Sequence, residues 1–298
     1  MKYIKYKINN NITVRKFLEA KDYSKRSIDE ILSSAYLLNG KLKNKSLDLK
    51  KGDEFKIIIE DEDLDYEPIE GKLKILFEDA NSLVVSKTSN LTVNSKNQVN
   101  LSNYLAYYFK ENDIRNKIRL VNRLDMNTSG LMLVAKNKYA HAYYQRQVEN
   151  NLIKKKYLAV VDPNTDLDLL YEARISYDEE NKKYIASNNG KLARTYFKTI
   201  DKNDSYSLIE CEIFTGKTHQ IRVSLQSLGH PIYGDKLYGS DKDLDRFLLH
   251  SYKLEFKTFI DEENIKLEDW PNFMTFLCEK WKQFDLQKSF SYYIINIS

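Results

Sequence analysis

Apolar residues along the chain fall into short runs whose spacing switches between the helical and the extended period. Val14, Phe17 and Leu18 make one turn of an apolar helix face, and Ile28, Ile31, Leu32 and Ala35 follow at i, i+3, i+4, i+7. Ser27 with Glu30 reads as the capping box of that second helix. Asn39-Gly40 after Leu37-Leu38 predicts a hairpin, and Phe55-Lys56-Ile57-Ile58-Ile59 a later strand. A nonperiodic acidic stretch, residues 60–71, ends this segment. Beyond it, Leu73–Asp79 and Leu83–Lys87 read as a hairpin turning at Asn81. Leu101, Tyr104, Leu105 and Tyr108 mark a helix capped by Asn100, and Asn137 caps another that runs to about Asn150. Strands are expected over Lys155–Val161, Ala193–Ile200, Ser207–Phe214 and Leu248–Phe256, with a helix over Thr218–Leu228 whose apolar face is Ile221, Leu225 and Leu228. Trp270, Phe273, Met274, Leu277, Trp281 and Phe284 recur at helical spacing near the C-terminus and read as core. Strands that mostly follow one another directly predict an α+β fold with a mixed, largely antiparallel sheet.

One stretch stands out chemically. Arg119–Lys136 runs from an extended segment through a polar turn ending in Gly130 to the apolar run Leu131–Ala135, with Asp125 at the start of the turn and Arg123 two residues before it. A carboxylate at a strand end can simply fold the turn. It can also be the first ligand of a calcium loop, since Asp125, Asn127, Ser129 and Gly130 take positions one, three, five and six of an EF-hand. That loop needs a bidentate Glu at position twelve, where Lys136 stands, and helices on either side.

A third reading fits more of the chain. Asn122-Arg123-Leu124-Asp125, followed by Thr128-Ser129-Gly130-Leu131, resembles the His-Arg-Leu-Asp-x-x-Thr-Ser-Gly-Leu signature of RluA-type pseudouridine synthases, with Asn122 in place of His. Further similar runs follow in order from residue 73 onward. They are Lys156-Tyr157-Leu158-Ala159, Thr215–Val223, Gly234-Asp235-Lys236-Leu237-Tyr238-Gly239 and Leu249-His250-Ser251. Where that family has Lys-Pro-x-Gly, this chain has Lys87-Thr88-Ser89-Asn90, which keeps the lysine and loses the rigid and permissive residues. Residues 11–60 are similar to the small αL RNA-binding module named for a small-subunit ribosomal protein, including Lys51-Gly52-Asp53 before the last strand.

The resemblance implies an isomerase that converts uridine to pseudouridine in structured RNA, most naturally large-subunit ribosomal RNA. It implies that Asp125 is the catalytic carboxylate, Arg222 its cationic partner and Tyr157 the ring that stacks on uracil and acts as base. It also places Arg123 in the space left by an everted base, and Lys217 and His219 on phosphate or in loop ordering. Tyr157 on its own reads equally as a packing residue, Arg222 as a helix-surface residue and His250 as a core residue. A noncatalytic RNA-binding or ribosome-assembly factor on the same fold is the alternative, and a metal-free hydrolase with Asp125 as nucleophile is a third.

Composition adjusts this picture in three ways. The formal charge of the 298 residues is only +4, but residues 1–56 carry 14 Lys or Arg against seven Asp or Glu, so the remainder sums to −3. The basic end, with Arg15, Lys25, Arg26 and Lys41 on its polar faces, is therefore the part expected to meet a polyanion. We divide the chain into a small RNA-binding module at 1–60, an acidic linker at 61–72 and a catalytic domain at 73–298. Cys211 and Cys278 have no metal or redox spacing, and the four histidines form no i,i+4 pair, so both cysteines are expected reduced and the chemistry free of metal and cofactor. No apolar run is long enough to span a bilayer and the N-terminus does not read as a signal peptide, so a cytoplasmic, monomeric protein is expected.

Overall fold

The computed structural model describes residues 2–95 and 97–273. Among these, no helix is long and apolar enough to cross a membrane. The chain divides into two compact units. Within the described residues, the first comprises those up to 127 with 131–154 and 254–267, and the second 128–130, 155–253 and 268–273.

The first unit opens with β1 (Lys2–Lys7), β2 (Ile12–Thr13), α1 (Val14–Ala20) and α2 (Lys25–Ser33). It continues with β3 (Tyr36–Leu38), β4 (Lys41–Lys43), β5 (Asp48–Leu49) and β6 (Glu54–Ile59), and the order β1-β6-β3-β4 makes a four-stranded sheet. Asn39 and Gly40 both take positive φ, 48° and 77°, as the tight turn between β3 and β4 requires. The expected capping box is displaced. Ser24 is the N-cap of α2, accepting the Ser27 N–H at 3.1 Å, so Ser27 is the third helical residue and Ala35 lies past the helix end. A second hydroxyl, Ser27 Oγ at 2.8 Å from Ser24 Oγ, takes the place that Glu30 was expected to fill. Strand β1 was not expected from the sequence, although Ile4 and Tyr6 alternate with Lys5 and Lys7 and are the buried positions.

These elements share their apolar core with the rest of the unit. Tyr23 packs its ring 5.9 Å from Tyr139 and 5.6 Å from Phe259, Lys138 is ion-paired to Glu30, and Lys21 meets Glu262 at 2.9 Å. Residues 60–73 form no regular element. They are held by a Glu62–Arg119 ion pair at 2.6 Å and by Asp65 Oδ1, which accepts the Ile118 N–H at 2.9 Å. Then come β7 (Lys74–Glu78), β8 (Ser82–Lys87), α3 (Leu101–Glu111), β9 (Arg119–Leu120), β10 (Ser129–Ala135) and α4 (Lys138–Glu149), with Asn100 and Asn137 capping the two helices as expected.

In the second unit, β11 (Lys154–Val161), β12 (Asp168–Asp178), β13 (Lys183–Ala186), β14 (Lys191–Lys202) and β15 (Ser207–Ile213) build an antiparallel sheet in the order β13-β12-β14-β15-β11. The second unit also holds α5 (Gln220–Ser227) and the start of β16 (Leu249–Lys257), which continues the sheet beside β11, whereas β16 from Leu254 on and β17 (Asn264–Glu268) up to Leu267 belong to the first unit. Strands β12, β13 and β17 were not expected, because their apolar residues do not alternate cleanly. Leu170 and Tyr177 of β12 stand 47% and 44% exposed, and β12 is defined by partners on both sides rather than by a buried stripe.

Gly130 does not end the turn before β10 but lies inside the strand, at φ 111°. There β10 runs parallel to β16, and a Cβ on Gly130 would sit 2.2 Å from the Ser251 carbonyl oxygen, a closeness only glycine permits. Trp270 packs 5.2 Å from the Tyr252 ring without helical structure over 270–273. Met274, Leu277, Trp281, Phe284 and Cys278 lie outside the described residues, while Cys211 is a buried free thiol.

Candidate active site

Asp125 lies half-buried in the irregular segment between β9 and β10, five residues past the end of β9 rather than at a strand end. Val121 and Leu124 anchor that segment in the core, whereas Arg123 points outward and is exposed. The backbone at Met126, directly after Asp125, is gripped by Lys87. This lysine is 1% exposed and donates from Nζ at 2.8 Å to each of the Thr88, Leu91 and Met126 carbonyls. A buried ammonium fixed to three carbonyls ties the Lys87–Leu91 loop to the segment carrying Asp125. Within that loop Asn90 takes φ 56°, the left-handed conformation a glycine would adopt freely.

Asn122 holds the other side of the segment. Its Oδ1 accepts the Leu133 N–H at 2.8 Å and its Nδ2 donates to the Leu131 carbonyl at 3.4 Å, so the side chain substitutes for a strand partner of β10. Asn122→Ala leaves the buried Leu133 amide without that acceptor and is expected to lower stability by about 1–3 kcal/mol in urea denaturation. A loss below ~0.5 kcal/mol, the range of ordinary surface substitutions, would show that Asn122 does not hold β10.

Tyr157 and Arg222 both lie in the second unit. Tyr157 is in the middle of β11, 5% exposed, with Cys211 of β15 opposite it. Arg222 is on α5 and is 6% exposed, buried rather than on the helix surface. Its guanidinium forms a two-point pair with Asp235, Nε to Oδ2 at 2.7 Å and Nη2 to Oδ1 at 2.8 Å. It also lies 4.2 Å from the Phe247 ring centroid and 4.9 Å from that of Tyr238. Asp235 had no role in the sequence reading, although it stands in the Gly234–Gly239 run. A guanidinium on the apolar side of a helix requires a carboxylate, and that requirement was the available signal.

The loop leading into α5 is rigidly built. Gln220 Oε1 accepts from the Thr215 hydroxyl at 2.8 Å and the Lys217 amide at 3.0 Å, while Nε2 donates to the Arg194 carbonyl and to Thr195 Oγ1, both at 2.9 Å. His219, the helix N-cap, sits at φ 55° with Nδ1 2.9 Å from the Tyr238 hydroxyl. That hydroxyl donates to the Tyr184 carbonyl at 3.0 Å, so it accepts from His219 and fixes the imidazole with its proton on Nδ1. His219 therefore orders the loop.

Comparison with known proteins gives the family. Residues 81–227 match the family model described as RNA pseudouridylate synthase. The chain is 37% identical over 243 residues to the uncharacterized RNA pseudouridine synthase YhcT of Bacillus subtilis, spanning 78% of this chain and 80% of that one. The chain belongs to the RNA pseudouridylate synthase family. It is thus an isomerase acting on RNA. It is also 37% identical over 195 residues to the ribosomal large subunit pseudouridine synthase D of Zymomonas mobilis, 62% of each chain. Among solved structures, the human RNA pseudouridylate synthase domain containing 1 superimposes with a TM-score of 0.60 at 25% identity, covering 70% of this chain and 86% of that one.

The start of β10 in this synthase is fixed by a relay within the second unit. His250 is 4% exposed, and its Nε2 lies 2.8 Å from the Asp269 carbonyl, to which it must donate. Its Nδ1 lies 2.8 Å from the Ser129 hydroxyl oxygen, to which Arg246 donates at 3.1 Å. His250 is a positioning residue in the core. On the N-terminal elements, Arg15 meets Asp29 at 2.9 Å, while Lys25, Arg26 and Lys41 are exposed. Among the described residues, no group of three or more His, Cys, Asp or Glu is arranged to hold a metal ion.

Proposed function

We propose that this synthase isomerises specific uridines of large-subunit ribosomal RNA, with Asp125 as the catalytic carboxylate, Tyr157 as the base and Arg222 as the cation that keeps the site's charge balanced. The observation that carries the assignment of Asp125 is the Lys87 clamp. A buried lysine spent on the carbonyl next to a half-buried carboxylate holds that carboxylate's backbone still, as a reacting group requires. The similarity to the Zymomonas large-subunit enzyme supports the choice of RNA.

The reaction breaks the bond from the uracil nitrogen to the anomeric carbon, turns the base and rejoins it through a ring carbon, with no net redox change. Asp125 either attacks the anomeric carbon or takes the neighbouring sugar proton, and Tyr157 removes the proton from the ring carbon after the new bond forms. The base must first leave its stack, at about a few kcal/mol, and Arg123, exposed two residues before Asp125, fills the vacated space. Lys217 and His219 serve the RNA from the loop before α5. The enzyme works as a monomer in the cytoplasm, without metal or cofactor.

Mapping by carbodiimide-dependent stops, on ribosomal RNA from cells with and without the gene, tests the reading. One or more uridine stops should vanish with the gene and return with the wild-type copy. An unchanged map would overturn it and favour a noncatalytic RNA-binding role.

Residues 1–60 act as the αL-type module that docks RNA through phosphates, and residues 73–298 as the catalytic domain. Because Tyr23 packs on Tyr139 and Phe259, surface charge is a cleaner test of the module than truncation. Changing exposed Lys25, Arg26 and Lys41 to Gln should lower the slope of log affinity against log salt by about 2, while stability changes by less than ~0.5 kcal/mol. An unchanged slope would remove these residues from the RNA-binding surface.

A further inference from the structure

Lys155 and Lys156 stand side by side on β11 and have opposite surroundings. Strand alternation sends them to opposite faces of the sheet. Lys156 meets Glu210 at 2.7 Å and Glu212 at 3.4 Å. Lys155 shares its face with Tyr157 and lies opposite Ile213 of β15, which in turn pairs with Thr195 of β14. Thr195 takes a hydrogen bond from Gln220 of α5, so this is the face that the Arg222 helix covers. On that face Lys155 is half-buried and has no hydrogen bond or ion pair among the described residues. Burial pushes its ammonium below the usual lysine range, and no neighbouring carboxylate offsets the loss of solvent. Lys217, four residues beyond Ile213 in the loop before α5, also has no ion pair among the described residues.

A desolvated cation without a counter-charge costs stability, and a site that receives an anion is where such a cost is retained. We propose that Lys155 forms a phosphate subsite of the catalytic unit, binding a backbone phosphate that flanks the nucleotide whose base packs on Tyr157. Residues two apart on a strand are separated by roughly 7 Å. A uracil lying on the Tyr157 ring therefore presents its own sugar-phosphate to the neighbouring lysine. The RNA phosphate supplies the missing partner and is held by charge rather than by sequence. This assignment rests on the proposed function and adds to it the group that positions the target nucleotide.

The test uses the full chain and an in vitro transcript of large-subunit ribosomal RNA, on which the wild-type protein first identifies the modified uridine. Lys155→Met should weaken RNA binding about tenfold near 0.15 M salt and lower the log–log salt slope by about one, and Lys155→Arg should restore both. Its melting temperature should equal or exceed that of wild type, because an unpaired charge has been removed. A lysine with a purely structural role would instead lower it. Synthetic RNA with one neutral methylphosphonate beside the target uridine should cost the wild type the same tenfold and cost Lys155→Met nothing further. Wild-type affinity and slope in Lys155→Met, or an equal methylphosphonate penalty in both proteins, would overturn the subsite alone. A transcript left unmodified by the wild type would overturn the functional reading, and the subsite with it. Should Lys155→Met fail to fold, Lys155→Gln carries the same measurements.

Discussion

Asp125→Asn should slow uridine conversion by about 10⁴-fold under single turnover, the upper range for losing a group that acts directly on the reacting atoms. Asparagine keeps the size of aspartate but loses its charge and exchanges one acceptor oxygen for an NH2 donor. At a half-buried position whose backbone Lys87 secures, the substitution should leave the fold and RNA affinity close to wild type. Conversion is read by carbodiimide-dependent stops on the transcript, and affinity by titration of the same RNA. In cells lacking the gene, the variant should fail to restore the stops that the wild-type copy restores. A variant converting uridine within tenfold of wild type would mean that another group starts the reaction, and Asp125 would then be a turn residue of the kind its sequence also allows.

Asp235→Ala should be strongly destabilising, lowering stability by about 3 kcal/mol, toward the low end of the usual cost of breaking a buried ion pair. The side chain of Asp235 is 1% exposed and that of Arg222 7%, so water does not replace the lost carboxylate. The Phe247 and Tyr238 rings remain against the guanidinium and keep the loss from being larger. Urea denaturation measures the change. Activity should fall as well, because Asp235 takes two of the guanidinium's donors at 2.7 and 2.8 Å and thereby fixes its plane. Arg222→Lys should lose activity for the same reason, since an ammonium cannot reproduce the two-point geometry. A loss below ~1 kcal/mol for Asp235→Ala, within the spread of unremarkable substitutions, would mean that Arg222 finds its support elsewhere.

Local signals in the chain translated directly into structure where the determining atoms are close in sequence. Asn100 and Asn137 cap helices because each side chain reaches amides two and three residues away. Asn39-Gly40 turns because both residues tolerate positive φ. The cap of α2 was misplaced because two serines three residues apart both fit the pattern, and only the backbone at Ser24, φ −65° and ψ 151°, distinguishes them. Strand β12 was missed because its pairing with β13 and β14, rather than its own apolar pattern, makes it a strand.

The candidate site divides in the same way. By itself, the sequence determined the identities and order of Asp125, Tyr157 and Arg222, the signature runs around them and the basic end of the chain. These are covalent facts, and the spacing of short runs is preserved however the chain packs. Only the tertiary structure decided which partner each charge would have. Asp235 lies 13 residues from Arg222, and the Met126 carbonyl lies 39 from Lys87. Lys155 and Lys156, adjacent and identical in the sequence, part company because one strand face meets Glu210 and Glu212 while the other meets a helix. Electrostatic energy depends on separation in space and on burial, and neither can be read from a residue's position in the chain.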